Sequence, residues 1–220
     1  MKTYFDHLVV GATTLNQGVR YVRERLGVEI SYGGQHPQMG THNCLGRLSE
    51  SSFLEVIAID PQGRKPERPR WFGLDDRHIR ANLEKAPRLI TWVVNSSNID
   101  TALTAAQINS GIAQQVSRGD LYWSFGIPDD GRLFYGGMLP YIISWENKGS
   151  AHPAASMADI GCNLSELRLY TPFPEWTENH LQSIGAGSAI TVIPIDSKRC
   201  AYLEAELNTP NGVRLLSSDE

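Results

Sequence analysis

The sequence predicts an α+β chain built from a strand–helix–three-strand (βαβββ) unit that recurs along its length. Three observations carry this. The same order of elements is legible three times, in residues 1–60, 88–150 and 161–220, with 61–87 as a long connection. In each unit a β-rich apolar run gives way to helical spacing and then to short strands parted by turn residues. No unit is large enough to bury its helix and sheet face alone, so the units must pack on one another.

The first unit opens with the apolar run "FDHLVVGA". Leu15, Val19, Val22 and Leu26 then recur at helical spacing, with Thr13 or Thr14 as the cap and Gly27 as the stop. Strands follow around "HNCLGRLSE" and "SSFLEVIAID". The second unit runs from "PRLITWVVN" through a helix carrying Ile99, Leu103, Ala106 and Ile108. It continues as "LYWSFGIP", the hairpin signal Asp130-Gly131, "RLFYGG" and "LPYIISWEN". The third reads "ELRLYTP", "PEWTENHLQSIGAG", "AITVIPID", "RCAYLEAEL" and "VRLLSS", with Asn211-Gly212 as a hairpin turn. The connection, with "WFGLDDRHI", is placed to cover an opening.

Composition narrows the class. The chain has 220 residues, 41% hydrophobic and 20% charged, as in an ordinary globular protein with a sizeable core. A net charge of −4 and the lack of a basic stripe argue against nucleic acid or an acidic membrane as partner. The basic run "GRKPERPR" carries prolines and reads as a solvated linker. Cys44, Cys162 and Cys200 are scattered without CxxC spacing, so neither a zinc knot nor a disulfide framework is indicated. The opening apolar run is interrupted by Asp6 and His7, unlike a signal peptide or membrane span. The expectation is a reduced, cytoplasmic protein.

In order, "DHLVV", "LGV", "GGQHPQMGTHNCL", "FLEVIAIDP", the tryptophan of "ITWVV" and "WENKGSAHPAA" make the chain resemble the vicinal oxygen chelate superfamily. Within it, they are similar to a less characterised glyoxalase-like branch. The resemblance covers residues 5 to about 155; the third unit matches by element order and by "TPNGVRL". It implies paired modules whose mixed sheets curl around a cleft. It also implies a divalent metal (Zn, Fe, Ni or Mn) held by His and Glu from the first and last strands of each module, polarising a small oxygenated substrate.

On that pattern His7 and Glu55 are the candidate catalytic pair and metal ligands of the first module. Glu55 lies in an apolar strand, where a carboxylate needs a partner. The second module departs from the pattern: Thr91 and Ser144 stand at the ligand positions, and Glu146, two residues on, or His42 would complete the shell. His36, His42 and Asn43 are expected to line the cleft, touching ligand rather than metal, or else to serve as turn scaffold. His152 is placed at the cleft mouth. Trp92 and Trp145 are expected to form an apolar wall, whereas Trp123 reads as core. Glu204 and Glu206 read as solvated surface.

No GxSxG elbow, Walker loop, HExxH or GxGxxG occurs. Two functions stand foremost. One is a metal-assisted lyase, isomerase or dioxygenase acting on a small oxygenated molecule. The other is a metal-free protein of the same fold that sequesters a small ligand. A third option is a metal-free enzyme with His7 or His42 as general base toward a substrate oriented by Glu55. The third unit is expected either to pack on the other two or to form a homodimer contact.

Overall fold

A computed structural model describes residues 2–146, 151–186 and 190–219. The first module comprises β1 (Thr3–Gly11), α1 (Leu15–Leu26), β2 (Ser31–His36), β3 (Thr41–Ser49) and β4 (Ser52–Ile59). The α1 boundaries follow the sequence signals: the Thr14 side chain accepts from the Gln17 N–H, and Gly27, at φ 72°, closes the helix. After α2 (Arg77–Lys85) in the connection come β5 (Arg88–Ser96), α3 (Ile99–Ala105), β6 (Ile112–Arg118), β7 (Leu121–Ile127) and β8 (Tyr141–Trp145).

These eight strands form one sheet in the order β2-β3-β4-β1-β5-β8-β7-β6. In each module the first strand pairs in parallel with the last, β1 with β4 and β5 with β8. The modules join where β1 pairs antiparallel with β5. The sheet curls until Arg118 on the β6 edge reaches past Gly34 on the β2 edge to hydrogen-bond Asn43 on β3. Both faces are buried, so the central strands read as nearly unbroken apolar runs. Leu8, Val10 and Trp92 face the helices, while Val9, Ile57, Val93 and Ile143 face the concave side.

The third unit comprises β9 (Asn163–Thr171), α4 (Pro174–Ser183), β10 (Ile190–Pro194), β11 (Tyr202–Thr209) and β12 (Gly212–Ser217). It repeats the element order but not the pairing. Its sheet runs β10-β9-β11-β12, so β9 pairs with β10 and β11 and never with the last strand. This separate sheet packs on the helix face of the large one: Leu167, Leu169, Leu203 and Leu207 share a core with Leu8, Val10 and Trp92. Arg168 on β9 binds Glu166, Glu204 and Glu206, so those glutamates form an ion-pair cluster rather than a merely solvated face.

The second module differs locally from the sequence expectation. Asp130-Gly131 is not a hairpin turn between strands; the β6–β7 hairpin turns at Gly119-Asp120 instead. After Asp130 the chain makes a 3-10 excursion, Phe134–Gly137, before β8. Tyr141 supports this detour, its hydroxyl donating 2.6 Å to the Arg132 carbonyl. Helix α3 stops at Ala105, short of Ile108, and the Asn109 side chain accepts from the Gly111 N–H in a competing local turn. The Asn211-Gly212 signal does mark the β11–β12 hairpin, closed by the Thr209–Gly212 pair. Part of the "WENKGSAHPAA" stretch, 147–150, and residues 187–189, where "PEWTENHLQSIGAG" meets "AITVIPID", lie outside the described residues.

Candidate functional site

The site begins with a break in strand regularity. Against β5, Phe5 pairs with Val94 and His7 with Val93, leaving Asp6 as the extra residue of a β-bulge. The Asp6 carboxylate is fully buried and receives three side chains. One oxygen lies 2.5 Å from His7 Nδ1; the other accepts from Trp145 Nε1 at 2.8 Å and from His152 Nε2 at 2.9 Å. Burial alone would push the Asp6 carboxyl up. The hydrogen bonds from His152 and His7 outweigh it and hold Asp6 below its ordinary value.

Because a carboxylate only accepts, His7 Nδ1 must carry the proton there. Its Nε2 is thereby turned into the concave face, 3.7 Å from Glu55 Oε2. The His7 ring is also stacked on Phe53, its partner across β1 and β4, at a centroid distance of 4.4 Å. Glu55 sits opposite Val9, one pleat along, so two parallel neighbouring strands bring the pair together.

A second polar group reaches Glu55 from the sheet edges. Asn43 Nδ2 donates to Glu55 Oε1 at 2.7 Å, and Asn43 Oδ1 accepts from Arg118 Nη1 at 2.9 Å. The acceptor-only carboxylate and donor-only guanidinium fix which way the amide points. His36 Nε2 lies 3.4 Å from both Asn43 Nδ2 and Arg118 Nη1, so it accepts, and Nδ1 donates to the Thr41 hydroxyl at 3.0 Å. Burial, helped by the Arg118 charge, pushes the His36 imidazole down to about 3, so it is neutral at ordinary pH. Burial also lowers Arg118, opposed by the nearby Glu55 charge.

His7, His36, Asn43, Glu55 and Arg118 line one cavity of about 420 Å³, its open mouth included. Its other walls are apolar: Trp71 and Phe72 from the connection, Phe53 from β4, and Phe125, Trp123 and Trp145 from β7 and β8. Phe72 enters with φ 57°, a left-handed conformation costly for an aromatic residue; its N–H donates to the Tyr141 hydroxyl at 3.1 Å.

The structure gathers His7, Glu55, His36, Asn43 and Trp145 at this cavity, with His152 behind Asp6. Three other sequence candidates lie elsewhere. His42 points to the opposite side of β3 from Asn43, as strand alternation requires. Trp92 pairs with Leu8 and is fully buried on the helix face, donating to the Met138 carbonyl. Glu146 is exposed at the end of β8, with Ser124 as its hydrogen-bond donor. Trp123, read as core, lines the cavity. Asp6 and Arg118 were not signalled as site residues: a bulge hides the first, and the second comes from the far sheet edge.

The donor set does not match the implied metal. His7 Nε2 and Glu55 Oε2 converge, but Thr91 is spent on the Gly137 carbonyl and Glu146 lies outside. Among the described residues, no group of three or more His, Cys, Asp or Glu is placed to hold an ion. A divalent ion here would have two protein ligands, fewer than the usual three or four for transition metals.

The architecture is therefore that of paired βαβββ modules enclosing a cleft, with a third sheet packed behind. A family model described as a glyoxalase-like domain matches residues 5–185, and the chain belongs to that family. Among solved structures, a hypothetical protein from Staphylococcus aureus is similar over 99% of this chain and 85% of its own, at 13% identity and TM-score 0.60. Methylmalonyl-CoA epimerase from Streptomyces coelicolor, in complex with 2-nitronate-propionyl-CoA, is similar over 70% of this chain and 100% of its own, at 14% identity and TM-score 0.41. A mutant 4-hydroxymandelate synthase from Streptomyces coelicolor is similar over 99% of this chain and 64% of its own, at 12% identity and TM-score 0.43. No curated protein matches the chain. No helix among the described residues is long and apolar enough to cross a membrane.

Proposed function

We propose that the chain binds a small oxygenated molecule in this cleft and moves a proton on it, with His7 as general base and Glu55 as the group that orients the ligand. The observation that carries this reading is the orientation of His7. Asp6 holds its Nδ1–H, Phe53 fixes its ring plane, and Nε2 is presented to Glu55 inside an apolar-walled cavity. A buried carboxylate behind an imidazole selects the tautomer and stabilises the imidazolium formed when Nε2 takes a proton. Glu55, tethered on Oε1 by Asn43, keeps Oε2 free to accept from a ligand hydroxyl. The reaction class is proton abstraction beside a carbonyl, as an isomerase or lyase requires.

Incubation in D₂O with a panel of 2-hydroxy ketones and 2-oxo acids, followed by proton NMR, tests it. Protein-dependent loss of a carbon-bound proton, abolished in His7→Gln and strongly reduced in Glu55→Gln, is the expected result. Absence of exchange across the panel, with ligands that nevertheless bind, would reduce the protein to a sequestering role.

A further inference from the structure

Resting on that reading of the cleft, we infer that Arg118 is the ligand's anchor: its guanidinium takes the carboxylate of a small molecule whose flat apolar body lies against Trp123, Phe125 and Trp145, in a grip that needs no divalent metal. Arg118 is a half-buried cation lining the cavity, yet it makes no ion pair among the described residues. Other arginines contrast with it: Arg70 is paired with Asp75, Arg132 with Asp130, and Arg168 with three glutamates. The carboxylate nearest in the cleft, Glu55, is kept from direct contact by Asn43, whose amide spans the two charges. Only Nη1 of Arg118 is engaged, by Asn43 and His36. Nε and Nη2 have no hydrogen-bond partner and are not sealed from solvent, so one edge of the planar fork is open to a carboxylate.

The position is built rather than incidental. A Cβ on Gly33 would come 2.4 Å from Asn43 Oδ1, and one on Gly34 would come 2.7 Å from Arg118 Cδ. The glycine pair of β2 clears the space through which the opposite sheet edge delivers its arginine. The aromatic walls favour a planar partner. With a cation fixed by protein alone, the missing ligands of the second module cease to be a defect: the guanidinium does the work of holding an oxyanion.

The test uses benzoate and its uncharged counterpart benzamide, titrated into the full chain after dialysis against EDTA, with calorimetry and tryptophan emission as readouts. Benzoate is expected to bind roughly tenfold or more tightly than benzamide. Arg118→Gln should lose that preference, so that the two probes bind with similar affinity, and Arg118→Lys should retain only part of it. Circular dichroism checks that the variants fold; the wild-type comparison of the two probes stands without them. Equal affinity for both probes, or benzoate binding that appears only when Zn or Mn is restored, overturns the role of Arg118. Benzamide binding alone would sink the anchor and leave the cleft reading intact, whereas failure of both probes to bind would count against both.

Discussion

Acidification from pH 7 to pH 5 should cost the folded protein several kcal/mol, and His36 should account for a separable part. The unfolded chain takes up a proton on this side chain near 6.5, whereas the folded imidazole, 3% exposed and wedged against Trp71 and Trp123, does so only near 3. Between those values the unfolded state binds more protons, so stability falls as pH falls. At about 1.4 kcal/mol per pH unit, one and a half units below 6.5 gives about 2 kcal/mol at pH 5. His180, buried and pushed down to about 4, adds a similar amount in the same window. Urea unfolding at the two pH values, on wild type and His36→Gln, isolates the His36 share. The variant should lose about 2 kcal/mol less than wild type across the interval, whatever its stability at pH 7. An equal loss in both proteins, or an His36 imidazole that titrates near 6.5 by NMR, would refute the assignment of a buried, neutral acceptor.

Below that window Asp6 takes over. Its carboxyl is held below the ordinary value, so its contribution is present above about pH 4 and is lost as pH falls through the folded value. Asp6→Asn at pH 7 presents an amide to three donors and should destabilise by roughly 2–3 kcal/mol in urea unfolding, and should also abolish proton exchange. Gly137→Ala forces a Cβ to 1.9 Å from the Ile90 carbonyl at φ 98°, and should cost roughly 3 kcal/mol or prevent folding. Gly119→Asn, in a turn with open space around it at φ 56°, should change stability by less than about 1 kcal/mol in the same assay. Gly33→Ala should lower the melting temperature measurably and also weaken benzoate binding, because its Cβ would meet Asn43 Oδ1 at 2.4 Å and Leu45 Cγ at 2.7 Å and displace the buried amide that joins Glu55 to Arg118.

Much of the scaffold was legible because it is written in local signals. Thr14 and Gly27 bound α1, and the apolar runs of β1, β4 and β5 mark strands buried on both faces. His7 and Glu55 could be paired because the family resemblance implies site residues on the first and last strands of a module, which the structure makes parallel neighbours. Strand parity would have sorted some of the remainder: with Glu55 opposite Leu45 and Val9 opposite Thr91, Asn43 faces inward, while His42 and Trp92 face away. Asp6 defeats parity, since a bulge adds one residue and leaves a polar side chain buried where alternation predicts an apolar one. Arg118 was out of reach for another reason. It ends a partly exposed edge strand, and only closure of the whole sheet carries it 75 residues back to Asn43.

That closure divides the site between the modules. The first supplies the imidazole, its buried carboxylate partner and Glu55; the second supplies a cation and half of the aromatic wall, the connection and β4 giving the rest. The opposite charges share one cavity without collapsing into an ion pair because Asn43 binds both and holds them apart. A direct pair would neutralise the base-side carboxylate and the anchor together, leaving neither for a ligand. The neutral His36 reinforces the separation, accepting from Arg118 while adding no charge of its own. A basic group, a carboxylate and a guanidinium held at fixed spacing form a polar row along an apolar slot. On the proposed reading of the cleft, the molecule complementary to that row is one with a proton to lose at one end and an anion at the other.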